Sequence, residues 1–111
     1  MNLTAKPKTS IIGDHSRIVA SDATPHLRCE AVGWPRPTIF WMKDNKNISD
    51  INENHQYVET PVAINVSSIA STLIIYTIQK GDGGVYTCVG MNALGVDKGT
   101  VSVTVPGNHY S

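Results

Sequence analysis

Apolar and polar residues alternate along this chain in short runs, and turn residues separate the runs. After Pro25, Leu27, Cys29 and Ala31 fall on one side of an extended backbone, with Arg28 and Glu30 on the other. Proline cannot donate to a strand ladder, so this strand begins after Pro25 and is expected to be short. Upstream, Lys8 to Ile12 and Ser16 to Ala20 read as one strand in two pieces, broken at Gly13-Asp14. Gly33-Trp34-Pro35-Arg36-Pro37 turns the chain into a strand from Thr38 to Lys43, and a polar stretch from Asn45 to Ile69 yields only a short strand, Gln56 to Glu59. A strand from Thr72 to Ile78 follows, with Leu73 and Ile75 inward, then Val85 to Met91. Asn92-Ala93-Leu94-Gly95 is a hairpin into a last strand, where Val101, Val103 and Val105 alternate with Thr100, Ser102 and Thr104. A period of 3.6 is sustained nowhere, so the pattern predicts an all-β chain.

Two long stretches carry a more specific signal. One is Leu27-Arg28-Cys29-Glu30-Ala31-Val32-Gly33-Trp34-Pro35-Arg36-Pro37, running into Ile39-Phe40-Trp41-Met42-Lys43-Asp44; the other runs from Ser71 through Gly95 and contains Asp82-Gly83-Gly84-Val85-Tyr86-Thr87-Cys88. Together they resemble the I-set immunoglobulin domains of adhesion molecules, receptor ectodomains and giant muscle proteins. The resemblance implies a two-sheet Greek-key sandwich with one disulfide, Cys29 to Cys88, between the sheets and the Trp41 indole beside it. Sheets packed about 10 Å apart can be stapled in this way. Such a bond removes about 4 kcal/mol of unfolded-chain entropy on the chain-entropy model. The alternative is a pair of unconnected buried thiols in a reducing compartment. Tyr86 takes the place of the tyrosine corner, and the core gathers Trp41, Tyr86, Leu73 and Ile75.

Length and charge narrow the class. At 111 residues the chain holds one domain, residues 1–111, with a core from about 7 to 105. Nine basic and nine acidic side chains cancel, so neither nucleic acid nor an anionic membrane is indicated as a partner. No apolar run reaches transmembrane length, and this domain is not expected to insert in a membrane. No signal peptide opens the chain, so Met1 is read as an artificial start with targeting or anchoring segments cut away.

Catalysis finds little support, and no cofactor or metal is implied. His15, His26, His55 and His109 lack metal-ligand spacing, and paired cysteines are not nucleophiles. Asp14-His15-Ser16 contains triad residue types, but neighbours in an extended segment point to alternate faces. Lys80-Gly81-Asp82 resembles a short integrin-recognition tripeptide, yet Asp82 already has a place in the corner leading to Cys88. Gly83-Gly84 belongs to a turn rather than to a phosphate loop.

Binding is the better expectation. If Ile39 and Trp41 face the core, Phe40 and Met42 face out; if Tyr86, Cys88 and Gly90 face in, Thr87, Val89 and Met91 face out. The resemblance puts these two strands side by side in one sheet. Phe40, Met42, Val89 and Met91 then form an exposed apolar patch on the outer face of the strands Thr38 to Lys43 and Val85 to Met91 and of the last strand, rimmed by Thr87, Thr100 and Lys43, with Trp34 in the turn before Thr38 as a second aromatic anchor. The alternative is that long side chains or the segment 45–69 cover the patch. Asn2, Asn47 and Asn65 each open an Asn-x-Ser/Thr sequon, the last two in expected loops. With the cysteine pair they indicate the cell surface or the extracellular space and N-glycans. The expected function is recognition of a protein partner, homophilic or heterophilic, with a spacer in a larger chain or a secreted growth-factor binder as alternatives.

Overall fold

The structure, a computed structural model, describes residues 4–107. Nine strands form two sheets. One sheet has the order β1 (Ala5–Ile12), β3 (His26–Trp34), β7 (Ser68–Ile75), β6 (Tyr57–Asn65). The other has the order β2 (Ser16–Ile18), β9 (Gly95–Thr104), β8 (Gly84–Asn92), β4 (Thr38–Lys43), β5 (Lys46–Asn47). All pairings are antiparallel except β2 with β9, so the first strand changes sheet at the Gly13-Asp14 break. Gly13 has φ 98°, a conformation that glycine reaches without steric cost.

The core lies between the sheets and is filled by the inward residues of both. Cys29, Trp41, Leu73, Ile75, Tyr86 and Cys88 are each 0% exposed. Cys29 and Cys88 form the disulfide, with a Cα–Cα distance of 6.5 Å. Trp41 Nε1 donates to Ser71 Oγ at 3.1 Å, which satisfies both polar atoms in the core. Tyr86 Oη donates to the carbonyl of Asp82 and lies 3.4 Å from Tyr57 Oη. Burial pushes both phenols above their usual pKa, so both stay neutral and hydrogen-bonded.

Several sequence expectations are corrected. β3 is nine residues long, because Pro25 removes a donor only ahead of the strand and its carbonyl still accepts from Ile75 N–H at 3.0 Å. Trp34 is the last residue of β3 rather than part of the turn. β6 runs from Tyr57 to Asn65, well past Glu59; Pro61 is tolerated because β6 is a sheet edge. β7 starts at Ser68 and ends at Ile75, so it lies earlier than the expected Thr72 to Ile78. Ile78 is buried but pairs with a loop, donating to Ala23 O at 2.8 Å.

The polar stretch after β4 also carries structure. Asp44 and Asn45, at φ 47° and 69°, make a tight turn of the type that suits strand twist and lead into β5. The single helical turn α1 (Ile48–Ile51) follows, capped by Asn47. Gly84, at φ 155°, sits where a Cβ would come within 2.6 Å of the Asp44 carboxylate, and that carboxylate accepts the Val85 N–H at 2.9 Å.

Candidate functional site: the outer face of the five-stranded sheet

The register decides which outward side chains touch. Phe40 stands opposite Val89, Met42 opposite Thr87, and Thr38 opposite Met91. On the other side of β8, Val89 faces Lys98, Met91 faces Val96, and Thr87 faces Thr100. The face therefore reads in rows: Thr38, Met91, Val96; Phe40, Val89, Lys98; Asn47, Met42, Thr87, Thr100. Phe40, Met42, Val89 and Met91 are thus brought together on one surface.

Their exposure is uneven. Met91 is 40% exposed, Phe40 and Met42 are half-buried, and Val89 is only 2% exposed. Val89 points outward as expected, but Phe40 on one strand and Lys98 on the other flank it, so it is the floor of the patch rather than a contact surface. Val96, 55% exposed beside Met91, and Leu94, 40% exposed in the turn, extend the apolar strip. Neither residue stands out in the sequence. Counting back through the Asn92 to Gly95 hairpin, a register fixed by a two-residue turn, would have placed Val96 opposite Met91.

The rim also differs from expectation. Lys43 pairs with Tyr86 and shares the inward parity of Trp41, and its ammonium donates to the Gly81 carbonyl at 3.2 Å. It is therefore not on the outer face. Lys98 is the cation of that face, next to Thr100 along β9 and diagonal to Thr87 on β8. Trp34 belongs to the other sheet, opposite Ala5, and is 41% exposed. With Pro35, Val66 and Ile69 it lines an open hollow at the end of the sandwich. Asn92 ties this end together, its Nδ2 donating to Ala5 O and Pro35 O, each at 2.9 Å.

The remaining candidate residues fall elsewhere. Asp82 is spoken for: its carboxylate accepts from Gln79 N–H at 2.7 Å and Gln56 Nε2 at 2.8 Å, in a short 3-10 turn, Lys80–Asp82. Among the described residues no group of three or more His, Cys, Asp and Glu side chains could hold a metal ion. Asn47 lies in β5 and Asn65 at the tip of the β6–β7 hairpin; Asn2 lies outside the described residues. No helix among the described residues is long and apolar enough to cross a membrane.

The backbone arrangement is shared with solved structures. A crystal structure of Dpr2 Ig1-Ig2 in complex with DIP-Theta Ig1-Ig3 matches with a TM-score of 0.81 at 24% identity, over 90% of this chain and 32% of that one. Titin domain M7 matches with a TM-score of 0.76 at 26% identity, over 96% of this chain and 100% of that one. In sequence, neural cell adhesion molecule 1-B of Xenopus laevis is 31% identical over 87% of this chain and 8% of its own length. Human roundabout homolog 2 is 35% identical over 70% of this chain and 5% of its own. The bovine WAP, Kazal, immunoglobulin, Kunitz and NTR domain-containing protein 2 is 35% identical over 74% of this chain and 14% of its own. The chain thus spans a small fraction of the curated relatives it matches. The model of the immunoglobulin I-set domain covers residues 10–105, a span that holds the disulfide and every strand except the start of β1, and the chain belongs to that family.

Proposed function

We propose that this domain is a protein-recognition module of the cell surface or extracellular space, and that it binds its partner through the outer face of β4, β8 and β9. The observation that carries this reading is the apolar strip of Phe40, Met42, Val89, Met91 and Val96, continuous across three strands and ending in exposed side chains. Apolar surface is worth about 25 cal/mol per Å² when removed from water, and a continuous strip is removed efficiently only by a complementary surface. The methionines suit this role, because unbranched, polarisable side chains adapt to a partner's relief. Thr38, Thr87, Thr100 and Lys98 supply a polar rim around the strip. A standard interface buries about 800 Å² per partner, so the Leu94 turn must contribute beside the strip. Trp34, on the other sheet, stands outside this interface. The likeness to neural cell adhesion molecule 1-B and roundabout homolog 2 supports the extracellular setting.

The partner is either a second copy or another protein, and sedimentation equilibrium separates the two. From micromolar to hundreds of micromolar, dimerisation of the oxidised domain that disappears in the Phe40→Asp, Met91→Lys variant supports a homophilic face. A monomer at all concentrations directs the search to a heterophilic partner. A second reading, a spacer in a larger chain, is favoured by the full-length match to titin domain M7. Retained binding of an identified partner by the double variant would overturn the proposed face and favour the spacer.

A further inference from the structure

We propose that Asn65 is an N-glycan attachment site, and that the glycan projects from the end of the sandwich and leaves the outer face of β4, β8 and β9 free. The proposal rests on the extracellular part of the reading above, and on the geometry of the turn that contains the sequon.

Asn65-Val66-Ser67 forms the tip of the β6–β7 hairpin. Asn65 is exposed, and Val66 is 70% exposed, so the tip stands clear of the sandwich. Three donors converge on Asn65 Oδ1: Ser67 N–H at 2.9 Å, Ser67 Oγ at 3.2 Å and Ser68 Oγ at 2.9 Å. A backbone N–H can only donate, so the oxygen end of the amide is fixed toward the turn and the Nδ2 end away from it. Among the described residues Nδ2 makes no hydrogen bond. Two asparagines outside any sequon behave differently: Asn52 Nδ2 donates to Tyr57 O at 2.8 Å, and Asn92 Nδ2 to two carbonyls. Those amides hold the fold together. The Asn65 amide nitrogen does not, so replacing one of its hydrogens with a sugar breaks no contact.

The sequon at Asn47 has a different setting. Its Oδ1 also accepts from its serine, at 3.0 Å from N–H and 2.9 Å from Oγ. But Asn47 is half-buried, the following Ile48 is 1% exposed, and Asn47 pairs with Met42 on the proposed binding face. A sugar there would lie against Met42. One at Asn65 extends from the edge of the opposite sheet.

The acceptor step is a group transfer. Asn65 Nδ2 attacks C1 of the first sugar of a lipid-diphosphate-linked oligosaccharide supplied by the secretory pathway's transferase. The N–C1 bond forms, the C1–O bond to the diphosphate breaks, the lipid diphosphate leaves, and the amide proton passes to a base of the transferase.

The test is secretion of the chain from cultured animal cells behind an added signal peptide, with peptide mass spectrometry before and after treatment with a glycoamidase, which hydrolyses the glycosylated side-chain amide, in heavy-oxygen water. The expected result is a glycan on the peptide containing Asn65, with the glycoamidase converting Asn65 to Asp, and loss of that glycan in Asn65→Gln but not in Asn47→Gln. An unmodified Asn65 in the secreted chain would overturn the proposal. The added signal peptide forces passage through the pathway, so this outcome is separate from the compartment of the natural protein. That compartment is tested by locating the natural protein in cells. Binding through the outer face is expected to be equal in the wild type and in Asn65→Gln; a several-fold change would overturn the placement of the glycan away from that face.

Discussion

The outer faces of the two sheets carry comparable numbers of exposed apolar side chains, yet they differ in kind. On the four-stranded sheet, Ile12, Val32, Val58, Val62 and Ile64 are 39% to 56% exposed, similar to Met91 and Val96 on the other face. Their rows are broken by polar groups: Ile12 leads to Arg28, Thr72 and Thr60, Ser10 and Glu30 share a row with Val62, and Lys8 stands opposite Val32. On the five-stranded sheet Phe40 with Val89 and Met91 with Val96 are adjacent cross-strand pairs, and the cation of that face, Lys98, stands at the far end of the Phe40–Val89 row rather than inside it. Exposure alone therefore does not mark an interface. Adjacency does, because a partner desolvates neighbouring groups together and must also desolvate any charge lying among them.

The sharpest way to break this comparison is to place the same charges on each face. Phe40→Asp with Met91→Lys is expected to abolish association in sedimentation or surface binding, since central anchors are worth about 2 kcal/mol or more each. Val62→Asp with Ile12→Lys on the other face should leave it unchanged. Near-ultraviolet circular dichroism of both variants should show the native fold. Equal loss from both pairs would mean that adjacency carries no information here.

A smaller effect is expected where the two sheets meet. Glu59, at the edge of one sheet, accepts the backbone N–H of Trp41 in the other through Oε1 at 2.8 Å. Glu59→Ala leaves that donor unpartnered and should cost about 1–3 kcal/mol in urea unfolding. A change indistinguishable from zero would show that the seam contributes nothing. Burial raises the Glu59 carboxyl above its usual pKa, against the lowering effect of the Trp41 N–H bond. A carboxyl raised in the folded state favours folding most when protonated. Its contribution is therefore greatest below the unfolded value and is lost as pH rises through the folded one. Glu59→Gln keeps an oxygen acceptor and removes the charge, so its stability relative to the wild type should rise with pH across that interval.

The smallest difference is between Val89 and Val62. Val89→Ala removes packed methyl groups and should cost about 1–2 kcal/mol, whereas Val62→Ala on the exposed face should stay within about 0.5 kcal/mol. Equal costs would mean that Val89 is not the floor of the strip.

Much of this architecture is legible in the sequence where alternation is strict. Leu27, Cys29 and Ala31, or Val101 and Val103, can face the core in only one register, and a slip by one residue would bury Arg28 or Ser102. The β6–β7 hairpin is harder to read, because its inner positions include Glu59 and Ser71, polar residues whose partners, Trp41 N–H and Trp41 Nε1, lie across the sandwich. The outward direction of Phe40, Met42, Val89 and Met91 follows from parity alone. Val89's burial does not, since it depends on Phe40 and Lys98 from two other strands, and the inward parity of Lys43 was available but obscured by its charge.

The Glu59 contact has one more consequence. β5 offers β4 partners only for Met42 and Lys43, which leaves the outer edge of β4 from Thr38 to Trp41 without a neighbouring strand. An open edge of this kind is a template for another chain's backbone. The carboxylate that occupies the Trp41 amide denies that template one of its donors, so strand addition and the fibrous growth it leads to are disfavoured at the very border of the apolar strip. Two molecules meeting there are steered toward contact between side chains, which can be reversed, rather than toward a shared sheet.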